Sequence, residues 1–188
     1  MTTTTKSDWE VRWDELQAHR AKILNINSYI NDGFEKICDV ETNYSEWRYK
    51  NINRDLMYSS HNSWVYFVVE GETIVKCGET GNPLGIRETR SYYSGETQPI
   101  ASSKCRFGRL RTGDGTDSYI RQELRDNIRA GINVSLWAKK CKLHVLNESL
   151  GGVIQEVDTS IHKSLEQLYL AHFKRHANRL PRLNKASK

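Results

Sequence analysis

The run from Trp64 to Val69 constrains the fold more than any other part of the chain. Every residue in it is aromatic or β-branched, a composition that favours a buried strand. Glu70-Gly71-Glu72 then reads as a tight turn, and residues 73–78 form a second β-type run. The sequence therefore predicts a β-hairpin over residues 64–78, against which the other elements have to pack.

Helices are predicted from apolar residues at helical spacing and from capping residues. Ser7 and Glu10 fit a capping box, and Trp9, Trp13, Leu16, Arg20 and Ile23 follow on one mostly apolar face. The predicted helices run from Ser7 to about Ile23, from Asn82 to about Tyr93, from Asp117 to Gly131, and from about Thr159 to Ala177.

These elements predict an α/β (α+β) architecture, with a small, mainly antiparallel sheet flanked by helices. Residues 134–145 form one long strand or a bent pair. Residues 1–62 are mixed and polar after their first helix, so we assign them to a helical N-terminal arm. Residues 63–188 then form the second domain, with a polar, basic loop inserted over 96–117.

Charge and hydropathy limit the classes of partner. The net charge is +5 and the pI is about 9.0, which favours polyanionic partners, nucleic acid first. The mean hydropathy is −0.70 and no apolar run approaches the length of a membrane span. Residues 1–6 have no apolar core like that of a signal peptide, so we expect a cytoplasmic protein.

The cysteines Cys38, Cys77, Cys105 and Cys141 are far apart in the sequence and form no CxxC pair. This spacing indicates neither a zinc site nor a disulfide framework, and we expect free, mostly buried thiols. The loop residues Lys104, Arg106, Arg109 and Arg111 suit contacts with phosphate or guanine, although a solvated loop would have the same composition.

The hairpin carries two short motifs. Trp64-Val65-Tyr66 and the run from Val75 to Glu79 resemble the half-motifs of the GIY-YIG nuclease superfamily. The resemblance covers roughly residues 63–180 and is nearest to the type II restriction enzymes, some of which also carry lysine in the second half-motif and add an N-terminal arm. Trp64, Val65 and Cys77 depart from the glycine and isoleucines of the pattern.

The resemblance implies a nuclease domain over residues 63–188 that cuts double-stranded DNA with one divalent metal ion, Mg²⁺ or alternatively Mn²⁺. It implies 5′-phosphate and 3′-hydroxyl ends, a homodimer, and a cognate DNA methyltransferase as partner in the cell. It also implies that the N-terminal arm serves DNA recognition or dimerisation. The catalytic residues would be Tyr66, Lys76, Glu79, Arg87 and Glu166, with Glu166 as the metal ligand. The DNA-binding residues would be Arg90, Lys104, Arg106, Arg109 and Arg111.

The chemistry of these side chains fits the same roles. A free tyrosine has a pKa of about 10 and is a poor base, but an ammonium group beside it favours the phenolate, so Lys76 could activate Tyr66. The planar guanidinium of Arg87 suits phosphate oxygens, and the carboxylate of Glu166 suits Mg²⁺. Glu79 occupies a position where related enzymes may carry histidine, and it could orient a water or hold a lysine.

Structural roles are the alternatives for each residue: a core aromatic for Tyr66, an edge residue for Lys76, a turn residue for Glu79, and solvated helix residues for Arg87, Arg90 and Glu166. Other functions compatible with the sequence are a homing, phage or structure-specific repair nuclease and a non-catalytic DNA-binding protein on the same scaffold. A basic adaptor protein unrelated to nucleases is a third.

Overall fold

The computed structural model describes residues 7–43, 46–57, 59, 61, 63–81, 116–150 and 153–184. A five-stranded antiparallel sheet has the strand order β2-β1-β5-β3-β4, and helices pack on both of its faces. The described elements are α1 (Asp8–Ile23), β1 (Glu35–Asn43), β2 (Glu46–Lys50), α2 (Arg54–Met57), β3 (Trp64–Glu70), β4 (Thr73–Thr80), α3 (Thr116–Arg129), β5 (Val134–Lys140), β6 (Leu143–Leu150), β7 (Val153–Ser160) and α4 (His162–His176).

The predicted hairpin is confirmed as β3 and β4. Its turn uses Gly71 at a φ of 58°, a left-handed conformation that glycine adopts without steric cost. The register shifts between Val68 and Val69, because Val68 pairs with Lys76 whereas Val69 pairs with Ile74. Val75 is therefore the extra residue of a β-bulge.

Alternation along β3 divides the core into two clusters. Trp64, Tyr66 and Val68 point to the side on which Leu124 of α3 packs, which we call the α3 face. Val65, Phe67 and Val69 point to the side on which Phe173 of α4 packs, the α4 face. Because β3 is buried on both faces, the continuous apolar run has a structural explanation.

The outer edge of β4 is covered by residues near the C-terminus. The Leu183 amide donates to the Val75 carbonyl at 2.8 Å. The Asn184 side chain accepts from the Cys77 amide and donates to the Cys77 carbonyl, each at 2.7 Å. One side-chain amide thus replaces the neighbouring strand that an edge lacks.

The N-terminal segment differs from the prediction in part. The capping box of Ser7 and Glu10 is present and α1 forms as expected. Residues 35–50, however, are not part of a helical arm, because β1 and β2 belong to the main sheet and β1 pairs with β5. A register shift between Lys36 and Cys38 interrupts the two-residue alternation that would have identified β1.

The C-terminal half needs two corrections. Residues 134–145 belong to two strands in different sheets, since β5 ends at Lys140 and β6 pairs with β7 in a separate two-stranded sheet. The last helix begins at His162 rather than near Thr159, because residues 159 and 160 complete β7.

Two further predictions concern residues that lie wholly or mostly outside the described ranges. The helix over 82–93 and the loop as far as residue 115 lie outside them, whereas residues 116 and 117, assigned to that loop, are the first of α3. Across the described part of the chain, the helices are too short or too polar to cross a membrane. Cys38, Cys77 and Cys141 are buried thiols that form no disulfide within the described residues, as expected, and Cys105 is outside the described ranges.

Candidate active site

Tyr66 lies across the backbone of Gly78. The two residues are directly paired between β3 and β4, and Tyr66 is buried, with 4% of its surface exposed. A Cβ atom added to Gly78 would lie 2.8 Å from Cε1 of Tyr66 and closer still to Cζ and the hydroxyl oxygen. The glycine of the second half-motif therefore leaves the room that the tyrosine ring of the first half-motif occupies.

Lys76 is half-buried on the same face of the hairpin as Tyr66. It pairs with Val68, whereas Tyr66 pairs with Gly78, so Lys76 and Tyr66 are diagonal neighbours on the α3 face. Diagonal neighbours in antiparallel strands are about 7–8 Å apart, which is within reach of long side chains. The register thus gives Lys76 access to the phenol of Tyr66.

Glu166 approaches the same strand from α4. It is half-buried on the side of α4 that also carries the buried residues His162 and Phe173, at helical spacings of four and seven residues. Burial raises the pKa of the Cys77 thiol well above its usual range; the negative charge of Glu166 raises this pKa further, and Lys76 opposes it. Glu166 therefore lies near enough to Cys77 to act on it electrostatically.

Three of the predicted site residues are thus arranged about the Lys76-Cys77-Gly78 segment of β4, with Tyr66 and Lys76 on the α3 face and Glu166 on the side of α4. Tyr66 covers Gly78, Lys76 belongs to the segment, and Glu166 acts on Cys77. The α3 face of this segment carries a phenol and an ammonium group, and α4 carries a carboxylate on the other side; these groups can move a proton, stabilise an anion and bind a hard cation, respectively.

Glu79 belongs to a different cluster, on the α4 face. It pairs with Val65, and its carboxylate lies 3.2 Å from Nε2 of His162. Nδ1 of the same imidazole lies 3.2 Å from the Ser63 hydroxyl. Ser63 and His162 are both buried. His162, the first residue of α4, thus connects this helix to β4 and to the residue before β3.

Ser63 and His162 could not be predicted as site residues from the sequence. Ser63 and His162 are 99 positions apart, and no local motif connects them. The assignment of residues 159 and 160 to the last helix also hid the fact that His162 is its first residue. Knowledge of that boundary would have directed attention to a histidine beside the hairpin.

The donor atoms fit a metal held jointly with a substrate. Within the ranges that the structure describes, no three His, Cys, Asp or Glu side chains cluster closely enough to hold an ion by themselves. Glu166 offers one half-buried carboxylate, and Mg²⁺ is commonly bound by one or two carboxylates together with waters and substrate phosphates. The residues therefore fit a magnesium ion that binds together with a phosphodiester.

The predicted residues Arg87, Arg90, Lys104, Arg106, Arg109 and Arg111 lie outside the described residues. Their assignment to phosphate binding and DNA contact stays a prediction from the sequence.

The fold is shared with a known protein. A mutant of bacteriophage T4 EndoII superposes with a TM-score of 0.54 and 15% identity, covering 80% of this chain and 95% of EndoII. The restriction endonuclease HPY188I, solved in complex with product DNA, aligns over 96% of both chains with a TM-score of 0.45 and 17% identity. No family model and no curated protein matches the sequence.

Proposed function

We propose that this protein is a metal-dependent DNA endonuclease of the GIY-YIG type. The observation that carries the proposal is the arrangement of Tyr66 and Lys76 on one face of residues 76–78 of β4, with Glu166 on the helix that packs against the other face. The motif resemblance assigns catalytic roles to these three residues, and the fold shared with EndoII supports the same reading. The net charge of +5 is compatible with a DNA substrate.

In the proposed reaction the chain's own residues manage proton and charge. Lys76 favours the phenolate form of Tyr66, and the phenolate takes the proton of the attacking water and becomes the neutral phenol. Arg87 pairs with oxygens of the scissile phosphate. Glu166 would hold a Mg²⁺ ion, which would supply positive charge to the scissile phosphodiester. The products would carry 5′-phosphate and 3′-hydroxyl ends.

The finer reading is a type II restriction enzyme. A homodimer would cut one strand with each subunit at a palindromic or near-palindromic site, and a cognate methyltransferase would protect the host DNA. A phage nuclease with looser specificity is the second candidate, because EndoII, the bacteriophage protein, is the neighbour with the higher TM-score.

Cleavage of long, unmethylated duplex DNA tests the proposal. The wild type should cut with Mg²⁺ and not with EDTA. Glu166→Gln should lower the rate at least about 100-fold, because the loss of one group that stabilises a developing charge typically costs that much. Glu35→Gln is the matched control, since it makes the same change at an exposed residue of β1.

The pattern of products separates the candidates. Discrete bands indicate a restriction enzyme, and a smear indicates the looser nuclease. DNA binding without metal-dependent cutting, or full activity of Glu166→Gln, would contradict the catalytic assignment.

A further inference from the structure

α1 carries a mostly apolar stripe, and within the described part of the chain its first three residues are exposed. No residue of the helix is buried, and the exposed fractions are 69% for Trp9, 47% for Trp13 and 40% for Leu16. The two indole rings stack, with centroids 5.9 Å apart and an interplanar angle of 9°. Exposed aromatic side chains in a continuous stripe are typical of a surface that binds another protein.

The spacing of the stripe is that of a helix–helix seam. Trp9, Trp13, Leu16, Arg20 and Ile23 follow one another at intervals of four, three, four and three residues, which is the a/d pattern of a coiled coil. Ile23 packs against the core cluster of the α4 face. The stripe therefore begins at the body of the protein and continues along α1 to its N-terminal end.

The charges of α1 favour a protein partner over nucleic acid. The helix contains four carboxylates (Asp8, Glu10, Asp14 and Glu15) and three permanent cations (Arg12, Arg20 and Lys22), which gives −4 + 3 = −1. A helix without excess positive charge gains little from a phosphate backbone. The carboxylates lie in the first half of the helix, and two of the cations lie in its last turn.

We infer that α1 pairs with α1 of a second copy of this chain, in antiparallel orientation. The pairing brings the acidic half of each helix against the basic end of the other, and it opposes the two helix dipoles. In an antiparallel seam an a residue meets a d residue, so Trp9 faces Arg20 of the other copy and Trp13 faces Leu16. A parallel pair would instead place the two Arg20 guanidinium groups together.

The residues that meet in this seam are of the kinds that dominate interfaces. An arginine over an indole ring makes a cation–π contact, and tryptophan and arginine are enriched among the side chains that contribute most to binding. The inference rests on the proposed function for the purpose of the pairing, which is to bring two nuclease subunits to one DNA duplex.

Sedimentation equilibrium of the full-length protein tests the seam. Trp13→Asp should raise the dimer Kd at least about 100-fold, because every dimer loses two anchoring tryptophans. Val11→Asp is the matched control: Val11 is similarly exposed at 43% and lies off the stripe on the same helix. Val11→Asp should leave the Kd within about threefold of the wild type.

Exchanging the opposed residues tests the orientation. Trp9→Arg alone places two arginines opposite each other and should weaken the dimer, whereas the double variant Trp9→Arg/Arg20→Trp restores an arginine–tryptophan pair and should recover it. A monomeric wild type, or Trp13→Asp that dimerises like Val11→Asp, overturns the inference. If the wild type is monomeric and Trp13→Asp weakens its binding to DNA, α1 would instead be assigned to DNA binding.

The outcomes are separable from those of the nuclease test. A wild type that dimerises through α1 and fails to cut DNA would overturn the proposed function alone. A wild type that cuts DNA and whose mass does not respond to Trp13→Asp would overturn the seam alone.

Discussion

The contact between Tyr66 and Gly78 explains why a residue without a side chain occupies the middle of a strand. Gly78 is not among the glycines with positive φ in the described residues, so its backbone would accept any amino acid. The restriction comes from the tyrosine ring, which occupies the position that a Cβ atom would need. The two half-motifs are therefore linked by the packing of Tyr66 against Gly78 as well as by their proposed chemistry.

This linkage predicts a strong coupling between the two positions. Gly78→Ala should destabilise the protein by about 1–3 kcal/mol, the usual cost of overpacking a filled site. In a Tyr66→Ala background the same change should be nearly neutral, because the ring that it would strike is gone.

Urea unfolding of the wild type, both single variants and the double variant measures this coupling. We expect a coupling free energy of at least about 1 kcal/mol, as is found for residues in direct contact. Additive effects would mean that the ring moves aside in solution.

Among the secondary-structure elements, α4 begins with a buried histidine that contacts polar side chains of the hairpin region. His162 contacts Ser63 before β3 and Glu79 of β4, so one imidazole fixes the start of the helix relative to both strands of the hairpin. Glu166 follows one turn later on the same helix. The position of Glu166, the proposed metal ligand, therefore depends on the contacts that His162 makes with the hairpin.

Removing this imidazole should have a measurable cost. His162→Ala would leave the Ser63 hydroxyl and the Glu79 carboxylate without it in a largely buried site, and unsatisfied groups of this kind cost about 1–3 kcal/mol each. Lys163→Ala, at the exposed neighbouring position, should be close to neutral.

Thermal or urea unfolding compares the two variants. The double variant His162→Ala/Glu79→Ala should recover part of the lost free energy of unfolding, because it removes the unpaired carboxylate. An unchanged stability for His162→Ala would contradict the structural role of the cluster.

The elements that could be predicted from the sequence are those with an uninterrupted pattern. The β3 run is apolar throughout because it is buried on both faces, and the Ser7 capping box is a local signal. β1 was missed because its bulge buries Ile37 and Cys38 in succession, which resembles neither strand nor helix periodicity. Tyr66, Lys76 and Glu166 could be proposed from the motif resemblance, whereas the contact of His162 with Glu79 depends on tertiary structure.

At the scale of the whole molecule, the main sheet takes strands from both sides of residue 62. β1 lies between β2 and β5, and Leu24, Ile26, Tyr29 and Phe34 are buried against the α4 face. An autonomous domain beginning at residue 63 would lack these parts of its core. α1, by contrast, contributes no buried residue.

Two truncations follow from this distribution. Deletion of residues 1–22 should leave the melting temperature within about 5 °C of the wild type, because none of the described residues that it removes, 7–22, is buried and stability changes of about 1 kcal/mol shift it by only a few degrees. Deletion of residues 1–34 removes four buried aromatic or aliphatic side chains and should abolish cooperative folding.

Circular dichroism with thermal melting compares the two truncated proteins at matched concentration. A cooperative transition after deletion of residues 1–34 would contradict the assignment of residues 24–34 to the core.

The bulge at Val75 determines the spacing between the two half-motifs. If β3 and β4 continued from their two-residue turn without the extra residue, Tyr66 would face Cys77, and Lys76 would face Phe67 on the opposite side of the sheet. The single inserted position moves glycine beneath the tyrosine ring and turns the lysine to the same side. The number of residues between the half-motifs therefore matters as much as their identities. An alignment that shortened this spacing by one residue would pair the wrong positions.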